Sequence, residues 1–192
     1  METVQEYKEY IIQPLTMALL PMDGPYGEWW TIVVEKTGIV VVQKKPLDII
    51  DDSCGYFGHS FSGAKQGAWA VTGITRMPPL AVSAELDLII FPLASPENRD
   101  CVWLVHLNVE SWGEAGRNAT VVRFSNYQTF TFDISYTAFE IKACRAAQYR
   151  CLLREHTARY QISRPPAAGE RLPDLHTWIR KKDNGTYQII RA

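Results

Sequence analysis

The sequence predicts an α+β protein: a largely antiparallel β-sheet body, then a long C-terminal helix and a short variable tail. Three observations carry this. Short β-branched runs separated by turn residues fill the first two-thirds of the chain. From Tyr136 to Tyr160 there is neither Gly nor Pro, and good helix formers dominate. A chain of 192 residues with 46% hydrophobic content can bury one real core.

Trp29–Glu35 and Gly38–Gln43 read as two strands of a hairpin, with Lys36 and Thr37 in a tight turn, because β-branched side chains fit a pleated surface. Trp69–Thr75, Leu86–Phe91 and Val102–Leu107 are further strand candidates. Thr120–Phe124 and Thr129–Asp133 flank Ser125-Asn126-Tyr127-Gln128 and predict a second hairpin, with Asn126 suited to a positive φ. Ser135 is the expected N-cap of the long helix. Phe139, Ala143, Ala146 and Leu153 fall near one stripe and are assigned to the core, while Arg150 and Arg154 share another face. Pro165 and Pro166 stop this helix, a short helix is expected near Leu175–Lys181, and a weak strand at Tyr187–Ile190. Residues 1–160 are expected to form a single domain, and 161–192 a basic tail packed on it or trailing it.

The net charge of −1 alone predicts no nucleic-acid partner, but the charge is not evenly spread. Residues 1–139 hold 9 basic and 16 acidic side chains, a balance of −7; residues 140–192 hold 11 and 5, a balance of +6. A basic last third on an acidic body suits a polyanion-binding face, and equally a solvated helix face with a loose tail.

Little in the sequence recommends catalysis. Gly58, Gly63 and Lys65 are spaced almost as in a phosphate-binding loop, but the lysine is one place late and Gln66 stands where a Ser or Thr belongs. His106 sits in a strand pattern where it could face a carboxylate. The adjacent Asp51 and Asp52 would diverge on a strand, or could cap a short helix after them. Cys54, Cys101, Cys144 and Cys151 have no zinc spacing, and the N-terminus lacks the pattern of a signal peptide. The expectation is a reduced cytoplasmic protein with buried or inert thiols, no cofactor and no metal.

The segment from Lys45 to Gly67 carries Lys-Pro-Leu, Asp-x-Ser-Cys, Phe-Gly-x-Ser and Gly-x-Lys-x-Gly in order. Pro78-Pro79, Phe91-Pro92, Phe124-Ser125-Asn126 and Ser135-Tyr136-x-x-Phe139-Glu140 follow collinearly. Together these resemble the ComK family of competence transcription factors. The resemblance implies an activator of DNA-uptake genes, not an enzyme. It implies binding to A/T-rich double-stranded DNA mainly through the minor groove, as a dimer or higher homo-oligomer at the nucleoid. It also implies an adaptor protein that passes the regulator to a Clp-type protease. Candidate DNA contacts are Lys44, Lys45, Lys65, Arg76 and Arg123, with Arg145, Arg150 and Arg154 on the long helix. Lys65 ranks first because it sits in the Gly-x-Lys-x-Gly element. The family pattern has arginines where Asp52, Gly55 and Ala64 stand here, and the chain after Arg159 does not match it. The alternative expectation is therefore a diverged relative that acts through protein–protein contacts with weak or no DNA binding.

Overall fold

A computed structural model describes residues 5–161 and 179–190, with the side chains of 160 and 161 left aside. The chain divides into two compact units, Met1–His156 and Thr157–Ala192.

The first unit is built on a seven-stranded sheet of order β1-β4-β3-β2-β7-β6-β5. Its strands are β1 (Gln5–Tyr7), β2 (Thr16–Asp23), β3 (Trp29–Glu35), β4 (Gly38–Val42), β5 (Leu80–Ser83), β6 (Leu88–Pro92) and β7 (Trp103–Val105). All pairings are antiparallel except β1 with β4. The β3–β4 hairpin closes at Glu35 opposite Gly38, as the β-branched runs predict. Strands β6 and β7 match their sequence expectation to within two residues at each end.

Both faces of this sheet are covered. On one, Leu19, Val33, Trp103, Ile90 and Val82 pack with Ile49, Ile50, Cys54 and Ala64 from two helices, α1 (Pro46–Tyr56) and α2 (Phe61–Thr72). On the other, Ala18, Ile89, Phe91 and Leu104 pack against a three-stranded sheet and a long helix. That second sheet, of order β10-β9-β8, comprises β8 (Val109–Glu114), β9 (Thr120–Phe124) and β10 (Thr129–Phe132). The long helix is α3 (Tyr136–Gln161), which buries Phe139, Ala143, Ala146 and Tyr149, with Leu153 partly buried. Ser135 caps it as expected, its Oγ accepting from the Ala138 N–H at 3.4 Å.

Four local expectations need correction. Trp69–Thr75 is not a strand: residues to Thr72 belong to α2. The helix is held at its start by Ser60, whose Oγ accepts from the Gly63 N–H at 3.0 Å. It ends at Gly73, which takes φ 73° in the left-handed region where glycine carries no Cβ penalty. These caps, together with burial of Ala64 and Ala68, override the β-propensity of Trp69, Val71 and Thr72. The strand alternative for Asp51 and Asp52 fails, since both lie inside α1, while the helix-start alternative holds for Asp51, whose Oδ1 accepts from the N–H of Phe61, the first residue of α2, at 2.9 Å. In the β9–β10 turn the positive φ of 68° falls on Tyr127, one residue after Asn126. Asn126 instead uses its side chain, whose Oδ1 accepts from the Gln128 N–H at 3.1 Å. Finally, His106 lies in a single 3-10 turn, His106–Asn108, and not in a strand.

In the second unit, the helix expected near Leu175–Lys181 gives way to β11 (Ile179–Lys181), paired antiparallel with β12 (Tyr187–Ile189). The turn runs through Asn184 and Gly185, the latter at φ 84°, a hairpin signal that outweighs the helix formers before it. Residues 175–178 and the Pro165–Pro166 stop lie outside the described residues. Among the described residues no helix is long and apolar enough to cross a membrane.

Candidate nucleic-acid interface

A polyanion is held by cations that are not already neutralised, so the partners of each candidate decide its value. Five of the eight are in ion pairs. Lys44 meets Asp52 at 2.7 Å and Lys45 meets Asp48 at 3.4 Å, both at the start of α1. Arg123 on β9 meets Glu110 at 3.1 Å and lies 5.0 Å from the Tyr127 ring centroid. Arg150 donates to Asp87 at 2.5 Å, and Arg154 pairs with the same carboxylate.

These pairs are unequal. Those of Lys44, Lys45 and Arg123 are exposed, and such pairs contribute only about 0–1 kcal/mol, so a phosphate can displace them at little cost. The Asp87 side chain is 15% exposed and that of Arg150 24%, so this pair is withdrawn from solvent. Asp87 sits at φ 61° in the β5–β6 turn and ties that turn to α3. Hydrogen bonding from Arg150 holds its carboxyl below the ordinary carboxylate range, against the opposing effect of burial.

Lys65, Arg76 and Arg145 are exposed and have no ion pair among the described residues. Lys65 projects from α2, with its Nζ 5.6 Å from the Phe61 ring centroid. Arg76 lies on the α2–β5 connection, beside Met77 at φ 45°. Arg145 lies on α3. The supporting elements touch. Ala68 of α2 shares a core cluster with Ala143, Ala146 and Tyr149 of α3. The Met77 Sδ accepts from the Lys142 ammonium at 3.6 Å.

Lys142 is a further candidate, which reading the sequence did not single out. Burial pushes its ammonium below the ordinary lysine range, and the like charge of Arg145 pushes the same way, against the Cys101 thiol. Its only described partner is a thioether, a weak acceptor. A lysine three residues before Arg145 on one helix face was the available signal.

The structure also places Asp52, Gly55 and Ala64, where the resemblance implies arginines. Asp52 is exposed and occupied by Lys44, and Gly55 is exposed with open space around it. Ala64 is buried at 5% exposure, in the core cluster that holds Ile49, Ile50 and Cys54 of α1. Of the four cysteines, Cys54 and Cys101 are buried and Cys144 and Cys151 exposed, and burial pushes the Cys54 thiol up to about 11.

The model of the family described as "ComK protein" matches residues 7–158. The chain belongs to the ComK family. The match spans the first unit almost entirely, including every motif quoted from Lys45 to Glu140. Among curated relatives of this ComK-family chain is the "Competence transcription factor" of Bacillus subtilis (strain 168). It is 34% identical over 143 residues, which cover 74% of each chain. No solved structure matches. In this chain the matched region is an α+β body with largely antiparallel sheets, in which the Lys45–Gly67 segment lies in the α1–α2 pair.

Proposed function

We propose that this chain is a transcription regulator of competence genes that binds A/T-rich duplex DNA, mainly in the minor groove, as a homo-oligomer. The observation that carries the reading is the set of unpaired cations, Lys65, Arg76 and Arg145 with Lys142, on elements that touch one another. The minor groove shows a degenerate base pattern, so sequence enters through groove width and potential. A-tracts narrow that groove and deepen its negative potential, which draws in lysine and arginine. Such a reader needs a few free cations on short projections, and α2 with its following connection supplies them. Lys44, Lys45 and Arg123 join by exchanging a carboxylate for a phosphate. Arg150 and Arg154 serve mainly to hold α3 to the β5–β6 turn. On this reading the protein acts at the nucleoid.

Fluorescence anisotropy with matched A/T-rich and G/C-rich duplexes tests this. Replacing Lys65, Arg76 and Arg145 together with alanine should weaken binding to all duplexes and reduce the slope of log affinity against log salt by about three, roughly one per phosphate contact. An unchanged slope rejects these contacts.

The five neutralised cations favour one other reading, a diverged relative that works by protein–protein contact. It predicts no duplex affinity near the micromolar range at physiological salt. Recognition by a Clp-type adaptor belongs with either reading, and is tested by adaptor-dependent degradation of the purified protein.

A further inference from the structure

An apolar groove of the first unit is lined by none of the cations just described. This groove of 680 Å³ runs between the ends of β2 and β3 and the outer strand β10. Leu20, Met22, Ile32, Leu93, Phe130 and Phe132 give it an apolar lining. Phe130 is 47% exposed there, a large cost to leave uncovered.

Three further features specify an occupant. The first is an open strand edge. β10 pairs with β9 on one side only. Gln128 accepts from the Phe124 N–H at 2.8 Å, and Phe130 and Phe132 stand opposite Val122 and Thr120. Antiparallel hydrogen bonding alternates, so the backbone groups of Thr129 and Thr131 turn outward, to the open side. The second is a buried donor: Trp29, in the groove wall, has an Nε1–H that is buried and has no hydrogen-bond partner among the described residues. The third is charge. The lining includes Asp23, Asp100 and Asp133 against Arg99 alone, three negative charges to one positive. Arg99 is already engaged with Asp23 at 2.7 Å and with the Gly27 carbonyl at 2.8 Å. Asp100 and Asp133 are exposed and have no ion pair among the described residues.

We propose that this groove is a docking site for an extended, basic peptide segment of a partner protein, added as a strand to the β10 edge. Main-chain hydrogen bonds to Thr129 and Thr131 give such a strand its affinity, and alternate apolar side chains fill the groove. The Trp29 Nε1–H, buried in the free protein, gains a peptide carbonyl when the indole shifts on docking, and the exposed Asp100 and Asp133 attract the lysine or arginine side chains that flank the apolar ones. A small apolar molecule would leave the strand edge and both carboxylates unanswered.

The test uses the full chain and a fluorescein-labelled peptide alternating valine with lysine, beside one alternating valine with glutamate. The lysine peptide should bind about ten-fold more tightly. Asp133→Lys should reverse that preference, and Trp29→Phe should weaken lysine-peptide binding several-fold while keeping the ring in place. Thr131→Pro, at an edge position where proline is tolerated, should abolish binding. Its folding is checked by circular dichroism, and the other two variants decide the matter if it does not fold. All three should retain wild-type affinity for duplex DNA. Equal binding of the two peptides, or wild-type binding by Asp133→Lys and Trp29→Phe, overturns the proposal. So does sedimentation showing a dimer that Asp133→Lys dissociates, because the groove would then hold a second copy.

Discussion

Asp87 shows at the residue scale why cations read from sequence need their partners before they mean anything. Arg150 and Arg154 were legible as a helix face, yet the carboxylate that claims both lies 63 and 67 residues away. Nothing in local spacing reveals it. The same holds for Arg123, whose partner Glu110 is on a neighbouring strand. Asp87→Asn should leave Arg150 without a charged partner and lower stability by about 1–3 kcal/mol, read from urea denaturation. The pH dependence has a definite sign. The folded carboxyl titrates below its ordinary value of 3.8, so this stabilisation is complete above that pH and is lost as pH falls toward the depressed value. Asp87→Asn should remove that part of the acid transition. His106 acts in the same direction at higher pH. Burial, and then the charge of Arg150, hold its imidazole below the ordinary 6.5, so the folded state resists protonation and stability declines as pH drops below 6.5. His106→Gln should flatten the stability profile between pH 6.5 and 5; an unchanged profile there would contradict the burial argument.

Helices α1 and α2 were the elements hardest to read. Their segment is rich in Gly, Ser and Asp, which favour turns, and Trp69 to Thr75 has strong β-propensity. What makes them helical is partly local and partly not. Pro46 at the first turn of α1 and Ser60 at the cap of α2 are sequence signals in the expected positions. The buried stripe of Ile49, Ile50, Ser53 and Cys54 has helical spacing, but its meaning depends on the sheet beneath it. Ser53 shows the coupling: its Oγ donates to the Ile49 carbonyl at 2.6 Å and accepts from the distant Ile12 N–H at 3.0 Å. By contrast, β3–β4 and β9–β10 were legible because alternation and turn chemistry agree over a few residues. Ser60→Ala should cost about 1 kcal/mol through loss of the cap. Ser53→Ala should cost more, about 1–3 kcal/mol, because it orphans a buried backbone N–H. Both are measured by chemical denaturation, and a larger loss from Ser60→Ala than from Ser53→Ala would contradict this ranking.

For the whole molecule, the question that the proposed function raises is how an acidic body would bind a polyanion. Two features answer it: the sheets form the support, and the free cations stand on α2, on the connection that follows it, and on α3. Asn108 is central to that support. Its Nδ2 donates to the Pro14 and Thr16 carbonyls at 3.0 and 2.6 Å, and its Oδ1 accepts from the Ser125 hydroxyl at 3.1 Å. It therefore ties the large sheet to the β9–β10 turn, within the Phe124-Ser125-Asn126 element. The charge asymmetry between the two parts of the chain was legible from composition, whereas which cations remain free was set by the fold. The central claim is that a small set of free cations, and not net charge, carries DNA binding. Its most direct test is a salt titration of duplex affinity for the wild type and the Lys65/Arg76/Arg145 triple alanine variant. The account predicts tighter binding to A/T-rich than to G/C-rich duplex, steep weakening with salt, and a slope about three smaller in the variant. Binding that is equal for both duplexes, insensitive to salt and unchanged in the variant would contradict it.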